Sequence, residues 1–175
     1  MILIVYGHPY PSRSIINNRL LAGISDIDDI EVRPLYNLYP DFDIDVDAEQ
    51  RALEKADLVI LQYPMRWYSC PSLVREWTDQ VFTEGWAYGE GGTALHGKTL
   101  MWAVTTGGKS DHFDTGTTPG INALYQPFQA TALYCGMHWH APYTQLGTFG
   151  ISDDEIDDAV ARYRKCLIDW KENNQ

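Results

Sequence analysis

Ile2-Leu3-Ile4-Val5-Tyr6-Gly7-His8-Pro9 opens the chain with a run that is apolar at every position and then stops abruptly. A strand without polar alternation suits the interior of a parallel sheet covered on both faces, and Gly7-His8-Pro9 ends it. Leu58-Val59-Ile60-Leu61-Gln62-Tyr63 repeats the pattern and is stopped by Pro64; Lys98 to Thr106 and Met137 to Leu146 supply a fourth and a fifth strand. Ile30-Glu31-Val32-Arg33-Pro34-Leu35 reads as the second strand, and Pro34, which cannot donate to a ladder, places it at a sheet edge. Helical spacing fills the intervals. Ser14 serves as N-cap of a helix to about Gly23, and a short helix covers Asp47 to Ala56. Pro71 opens one carrying Leu73, Val74, Trp77, Val81 and Phe82 on one side. Ile121 to Gly136 is helical but kinked or restarted at Pro127, and the capping box Ser152-Asp153-Asp154-Glu155 opens a last helix to about Trp170. Strand and helix alternate five times, which predicts an α/β fold: a five-stranded parallel sheet with helices on both faces, one domain over residues 1–175.

Composition narrows the function. Thirteen Lys and Arg against 24 Asp and Glu leave a formal charge of −11, which repels a phosphate backbone and argues against nucleic acid as partner. With 45% hydrophobic and 13% aromatic residues the chain has the makings of a core. Cys70, Cys135 and Cys166 are far apart and form no C-x-x-C, so neither a disulfide framework nor a zinc knuckle is indicated, and a reducing cytoplasm suits them. The first apolar run lacks a basic n-region and is too short for a signal peptide, and no run of about eighteen apolar residues follows.

Ligands of an open α/β sheet bind beyond the carboxyl ends of its strands. Three loops lie there. Gly7 to Asn17 sets Ser14 and Asn17 at the start of a helix whose free N–H groups attract an anion such as phosphate. Met65-Arg66-Trp67-Tyr68-Ser69-Cys70 offers two aromatic faces to a planar ligand. Thr105-Thr106-Gly107-Gly108 lets a ligand approach the backbone closely. Each has a plainer reading: an ordinary N-cap, rings packed under a neighbouring loop, a simple turn. Neither a dinucleotide fingerprint nor a P-loop is present. Asp41, Asp43, Asp45 and Asp47 imitate a calcium loop but lack its glycine and terminal glutamate, while His138 and His140 share a strand face with no third ligand, so no metal is expected.

Pro64-Met65-Arg66-Trp67-Tyr68-Ser69-Cys70-Pro71, then Gly85-Trp86-Ala87-Tyr88 and Thr105-Thr106-Gly107-Gly108, resemble the flavodoxin-like NAD(P)H quinone reductases, from Ile2 to about Trp170. Leu38-Tyr39-Pro40-Asp41-Phe42, Gly91 to Lys98 and Gln129-Ala130-Thr131-Ala132 resemble, more narrowly, the ancillary subunits of glutathione-gated potassium efflux systems. The resemblance implies strand order 2-1-3-4-5 and FMN as cofactor, with NAD(P)H as co-substrate and a quinone as acceptor. It implies that His8, Ser14, Ile15, Ile16 and Asn17 hold the phosphate. Met65, Arg66, Trp67 and Tyr68 would flank the ring, and Thr105, Thr106, Gly107 and Gly108 would face its polar edge. It also implies a homodimer and, from the narrower likeness, a potassium efflux membrane protein as partner, which would hold the protein peripherally on the cytoplasmic side of the inner membrane.

Two departures limit the transfer. Arg66 stands where relatives commonly carry Gln, and the tyrosine and histidine of the mammalian proton relay fall on Phe113 and Pro119. His112 is adjacent, but no catalytic side chain is assigned from the sequence. The competing expectations are a one-electron flavodoxin-type carrier, which the acidity would also suit, and a regulatory subunit whose flavin is mainly structural.

Overall fold

The computed structural model describes residues 1–174. Strands β1 (Ile2–Tyr6), β2 (Ile30–Pro34), β3 (Leu58–Pro64) and β4 (Thr99–Thr105) pair in parallel in the order β2-β1-β3-β4, and β5 (His138–Trp139) and β6 (Tyr143–Gln145) both extend the sheet from β4. This is the 2-1-3-4-5 order with a sixth strand. β2 pairs only with β1, which puts Pro34 on the edge as its missing N–H requires.

Alternation along β1 assigns each side chain to a layer. Ile2, Ile4 and Tyr6 pack with α1 (Ile16–Ala22) and α6 (Asp153–Asn173). Leu3 and Val5 face the opposite layer, with α3 (Val46–Lys55) after the four-residue α2 (Leu35–Leu38), α4 (Ser72–Val81) and α5 (Ile121–Tyr134). Every residue of β1 is buried, which is why the run shows no polar position.

Three expectations need correction. The segment from Met137 to Leu146 is two short strands rather than one. Trp139 lies opposite Leu100 and Tyr143 opposite Ala103, so four steps along this segment match three along β4: an extra residue is accommodated where Pro142 denies the ladder a donor. Ser14 is not an N-cap. A 3₁₀ turn at Pro11–Arg13 ends on it, its N–H reaching Pro11 O at 3.2 Å, and α1 starts after Ile15. Pro127 does not restart the fifth helix, which runs unbroken from Ile121 to Tyr134. The box at Ser152 and Glu155 forms with both of its reciprocal bonds.

Gly7 brings the first loop against the α4 layer. A Cβ there would come within 2.1 Å of Val74 Cγ2, a fully buried side chain on α4. Gly7→Ala is therefore expected to cost about 1–3 kcal/mol of stability by overpacking. Urea unfolding checks this, and an unchanged midpoint would show that α4 yields without cost.

Candidate functional site

At the carboxyl ends of β1, β3 and β4 the chain opens a cleft of about 500 Å³. His8, Ser14, Ile15, Ile16, Asn17 and Thr105 line it together, although the first five come from the first loop and the start of α1 and Thr105 from the end of β4, about ninety residues on in sequence. In the first loop, the N–H of Tyr10 donates to His8 Nδ1 at 3.0 Å, which leaves Nε2 as the ring's donor. Burial, and secondly the charge of Arg66, hold the imidazole pKa below its usual 6.5, so it is neutral at pH 7. Ser14 is 6% exposed, and its Oγ is the one buried side-chain polar atom without a hydrogen-bond partner among the described residues. Unsatisfied buried hydroxyls are rare, and this one lines the cleft beside the start of α1, whose first N–H groups are free.

The Asn17 side chain is not available to a ligand. Its Nδ2 donates to Thr105 Oγ1 at 2.9 Å and its Oδ1 accepts from Gln62 Nε2 at 3.3 Å, so only its backbone N–H faces outward duty. Thr106 is likewise engaged, its hydroxyl donating to Gly108 O at 2.6 Å and its N–H to Gln145 O at 2.9 Å. The N–H groups of Gly107 and Gly108 have no acceptor among the described residues.

Met65 to Tyr68 do not line this cleft; Pro64, immediately before them, does. Arg66 and Ser69 exchange both backbone hydrogen bonds, at 2.9 and 3.0 Å, and so close a two-residue hairpin. Its central residues are Trp67 and Tyr68, at φ 48° and 62°, a conformation that suits glycine. Trp67 is 93% exposed, so its ring is not packed under a neighbouring loop. Tyr68 instead borders a cavity of about 280 Å³ between α4 and α5. Met65 joins the other loops through its N–H, which donates to Thr105 O at 2.8 Å. His112 is exposed, outside the cleft, with Nδ1 3.0 Å from Asp111 Oδ1.

The far wall was missed from sequence. Thr148, Phe149, Gly150, Ile151 and Asp153 complete the cleft. Phe149 is 84% exposed and lies so close over Gly107 that a Cβ there would come within 2.1 Å of its ring. The available signal was Gly147-Thr148-Phe149-Gly150, an aromatic between glycines of positive φ at one more strand end.

His8 predicts a pH dependence. Its folded pKa is depressed, so the unfolded chain binds the proton first as pH falls; the associated stability is present above pH 6.5 and lost as pH drops through the folded value. Melting temperatures across this window should fall less steeply for His8→Gln than for the native chain, and identical slopes would contradict the assignment.

A doubly covered parallel sheet of order 2-1-3-4-5, with a polar cleft at the carboxyl ends of its strands, defines the flavodoxin-like class. The Flavodoxin_2 family, described as a flavodoxin-like fold, matches residues 1–167, and the chain belongs to it. The glutathione-regulated potassium-efflux system ancillary protein KefF of Klebsiella aerogenes is 55% identical over 175 residues, covering 100% of this chain and 99% of that one. Among solved structures, general stress protein 14 of Treponema denticola, in complex with FMN, superposes with a TM-score of 0.86 at 32% identity over 99% of both chains. An NADPH-quinone reductase of P. pentosaceus does so with a TM-score of 0.85 at 29% identity, over 94% of this chain and 96% of that one.

Proposed function

We propose that this chain, as one domain over residues 1–175, is an FMN-dependent NAD(P)H:quinone oxidoreductase that also serves as an ancillary subunit of a potassium efflux system. The observation that carries the cofactor reading is the orphaned, buried Ser14 Oγ in a cleft that also presents His8 and the free N–H groups of Ile16 and Asn17. This donor set suits a phosphate. The FMN bound by the Treponema relative and the quinone reductase activity named for the P. pentosaceus relative support it.

His8 Nε2–H, Ser14 Oγ–H and the N–H groups of Ile15, Ile16 and Asn17 would hold the phosphate. Met65, Arg66, Trp67 and Tyr68, which lie outside the cleft, would flank the ring where it extends beyond the cleft, and Thr105 to Gly108 would face its polar edge. Bound there, FMN supplies a ring that takes a hydride from NAD(P)H and passes it to a quinone. The protein's part would be orientation and charge: the unpaired Gly107 and Gly108 N–H groups would be the donors for the ring's polar edge, where negative charge grows on reduction, and the exposed Trp67 ring would cover one face. If co-substrate and acceptor use one place in turn, steady-state rates plot as parallel lines for NAD(P)H against quinone. Intersecting lines contradict the shared site, and FMN binding without turnover would favour a flavin of mainly structural use.

A second copy of the chain fits the face between α4 and α5. There a groove continues the cavity beside Tyr68 and is lined by the exposed Tyr134. Light scattering should give twice the 19.9 kDa of one chain; a monomer at micromolar concentration contradicts the dimer. Among the described residues no helix is long and apolar enough to cross a membrane. The charge of −11 disfavours anionic lipid, so a place on the cytoplasmic side of the inner membrane would come through a protein partner, as the role named for the Klebsiella relative supports.

A further inference from the structure

Behind the cleft, four buried side chains from four different elements form one continuous chain of hydrogen bonds. Tyr163 on α6 donates its hydroxyl to Gln62 Oε1 on β3 at 2.9 Å. Gln62 Nε2 donates to Asn17 Oδ1 on α1 at 3.3 Å, and Asn17 Nδ2 donates to Thr105 Oγ1 on β4 at 2.9 Å. Tyr163 and Gln62 are fully buried, Asn17 and Thr105 nearly so, and Tyr163 lies 101 residues from Gln62 along the chain.

The chain has a direction. Each amide has one donating and one accepting end, so the orientation of one fixes that of the next. Tyr163 sets it: its fully buried O–H, kept protonated by that burial, has no acceptor among the described residues other than Gln62 Oε1, so the reverse orientation would leave this proton unpaired. At the other end Thr105 Oγ1 accepts from Asn17, and its own O–H has no acceptor among the described residues. Thr105 borders the cleft. With this polarity its hydroxyl is a donor into the cleft; with the reverse polarity it would donate to Asn17 Oδ1 and be lost to a ligand.

We propose that Tyr163 and Gln62, neither of which touches the cleft, are positioning residues that hold Asn17 in the orientation that makes Thr105 a hydrogen-bond donor to the bound cofactor. The inference deepens the FMN reading and rests on it. Tyr163→Phe leaves Gln62 Oε1 without its donor, so the direction of the chain is no longer imposed, and the Thr105 hydroxyl turns inward in part of the population.

The test is a double-mutant cycle on FMN affinity, read by flavin fluorescence on apoprotein, with melting of each apoprotein in parallel. Thr105→Val should weaken FMN binding about tenfold and Tyr163→Phe several-fold, while the double variant binds no more weakly than Thr105→Val alone. Thr105→Ser keeps the donor and should retain both the native affinity and the sensitivity to Tyr163→Phe. A general loosening of the core would instead add the two losses. Additive losses, or a Tyr163→Phe protein that binds FMN as the native one does, overturn the inference and leave the FMN reading standing. Native apoprotein that takes up no FMN removes both. If Tyr163→Phe does not fold, Gln62→Met, which removes both polar ends at similar volume, enters the same cycle with the same expectations.

Discussion

Trp67→Ala is expected to weaken FMN binding tenfold or more while leaving the stability of the apoprotein unchanged or raised. The ring is 93% exposed without a ligand, so its removal takes nothing from the core. Its backbone is costly to hold. Trp67 and Tyr68 both occupy left-handed conformations, each unfavourable by about 1–2 kcal/mol for a residue with a Cβ. The paired hydrogen bonds of Arg66 and Ser69 hold the turn closed against that strain. A chain that spends strain to keep a tryptophan in solvent beside the cleft gains from it only when something covers the ring. Burial and stacking of one such face are worth about 1–3 kcal/mol, and 1.4 kcal/mol is a decade in affinity. Trp67→Gly sharpens the result: it should bind FMN as poorly as the alanine variant and melt higher than the native apoprotein, because glycine relieves the positive φ. A drop in apoprotein stability with unchanged FMN affinity would make Trp67 a packing residue.

Glu49→Ala should be the most damaging single substitution for the fold, at about 3–5 kcal/mol. Glu49 is 0% exposed on α3, and three side chains converge on its carboxylate. Arg33 of the edge strand donates through Nε at 3.0 Å and Nη2 at 2.5 Å, the Tyr39 hydroxyl through 2.5 Å, and Trp77 Nε1 of α4 to the second oxygen at 2.9 Å. Burial and the adjacent carboxylate push the Tyr39 phenol up to about 12, which keeps it a donor. Alanine would leave a half-buried guanidinium and two polar groups without their acceptor. Chemical denaturation should show the loss with FMN affinity preserved in whatever fraction folds, since the cluster lies away from the cleft. A loss under 1 kcal/mol would mean that water replaces the carboxylate.

Much of this architecture is written locally. Ile2 to Tyr6 and Leu58 to Tyr63 announce buried parallel strands because each residue is covered on one face or the other, and Pro34 marks the edge through its missing donor. Ser152 and Glu155 satisfy each other three residues apart, so their cap needs no distant partner. What long-range pairing decides was illegible. Pro142 alone does not say whether a strand ends, bends or gains a residue; the register against β4 does. Ser14 resembles an N-cap in isolation, but the 3₁₀ turn at Pro11–Arg13 moves the cap to Ile15, one residue on, and leaves the Ser14 hydroxyl unpaired.

The same division holds at the cleft. The rule that ligands meet strand carboxyl ends selects the loops carrying Ser14, Asn17 and Thr105, the family resemblance adds His8, Ile15 and Ile16, and the structure gathers all six at one cleft. Phe149 follows from the same rule applied to the last strand, with Gly147-Thr148-Phe149-Gly150 as its local sign, and Asp153 enters the cleft from the first turn of α6, where its motif reads only as a helix cap. The commitment of the Asn17 side chain to Thr105 and Gln62 depends on neighbours 88 and 45 residues away and has no trace in the sequence.

The cleft between Ser14 and Thr105 is proposed to hold FMN for hydride transfer to quinones. Purified apoprotein titrated with FMN, then mixed anaerobically with NAD(P)H and afterwards with a quinone, tests it in one cuvette. The expected result is saturable binding of one FMN per chain, bleaching of the flavin absorption by NAD(P)H and its return on adding quinone, with binding weakened in Ser14→Ala. A folded protein that takes up no FMN, or that holds it without bleaching by either reduced nicotinamide, would contradict it.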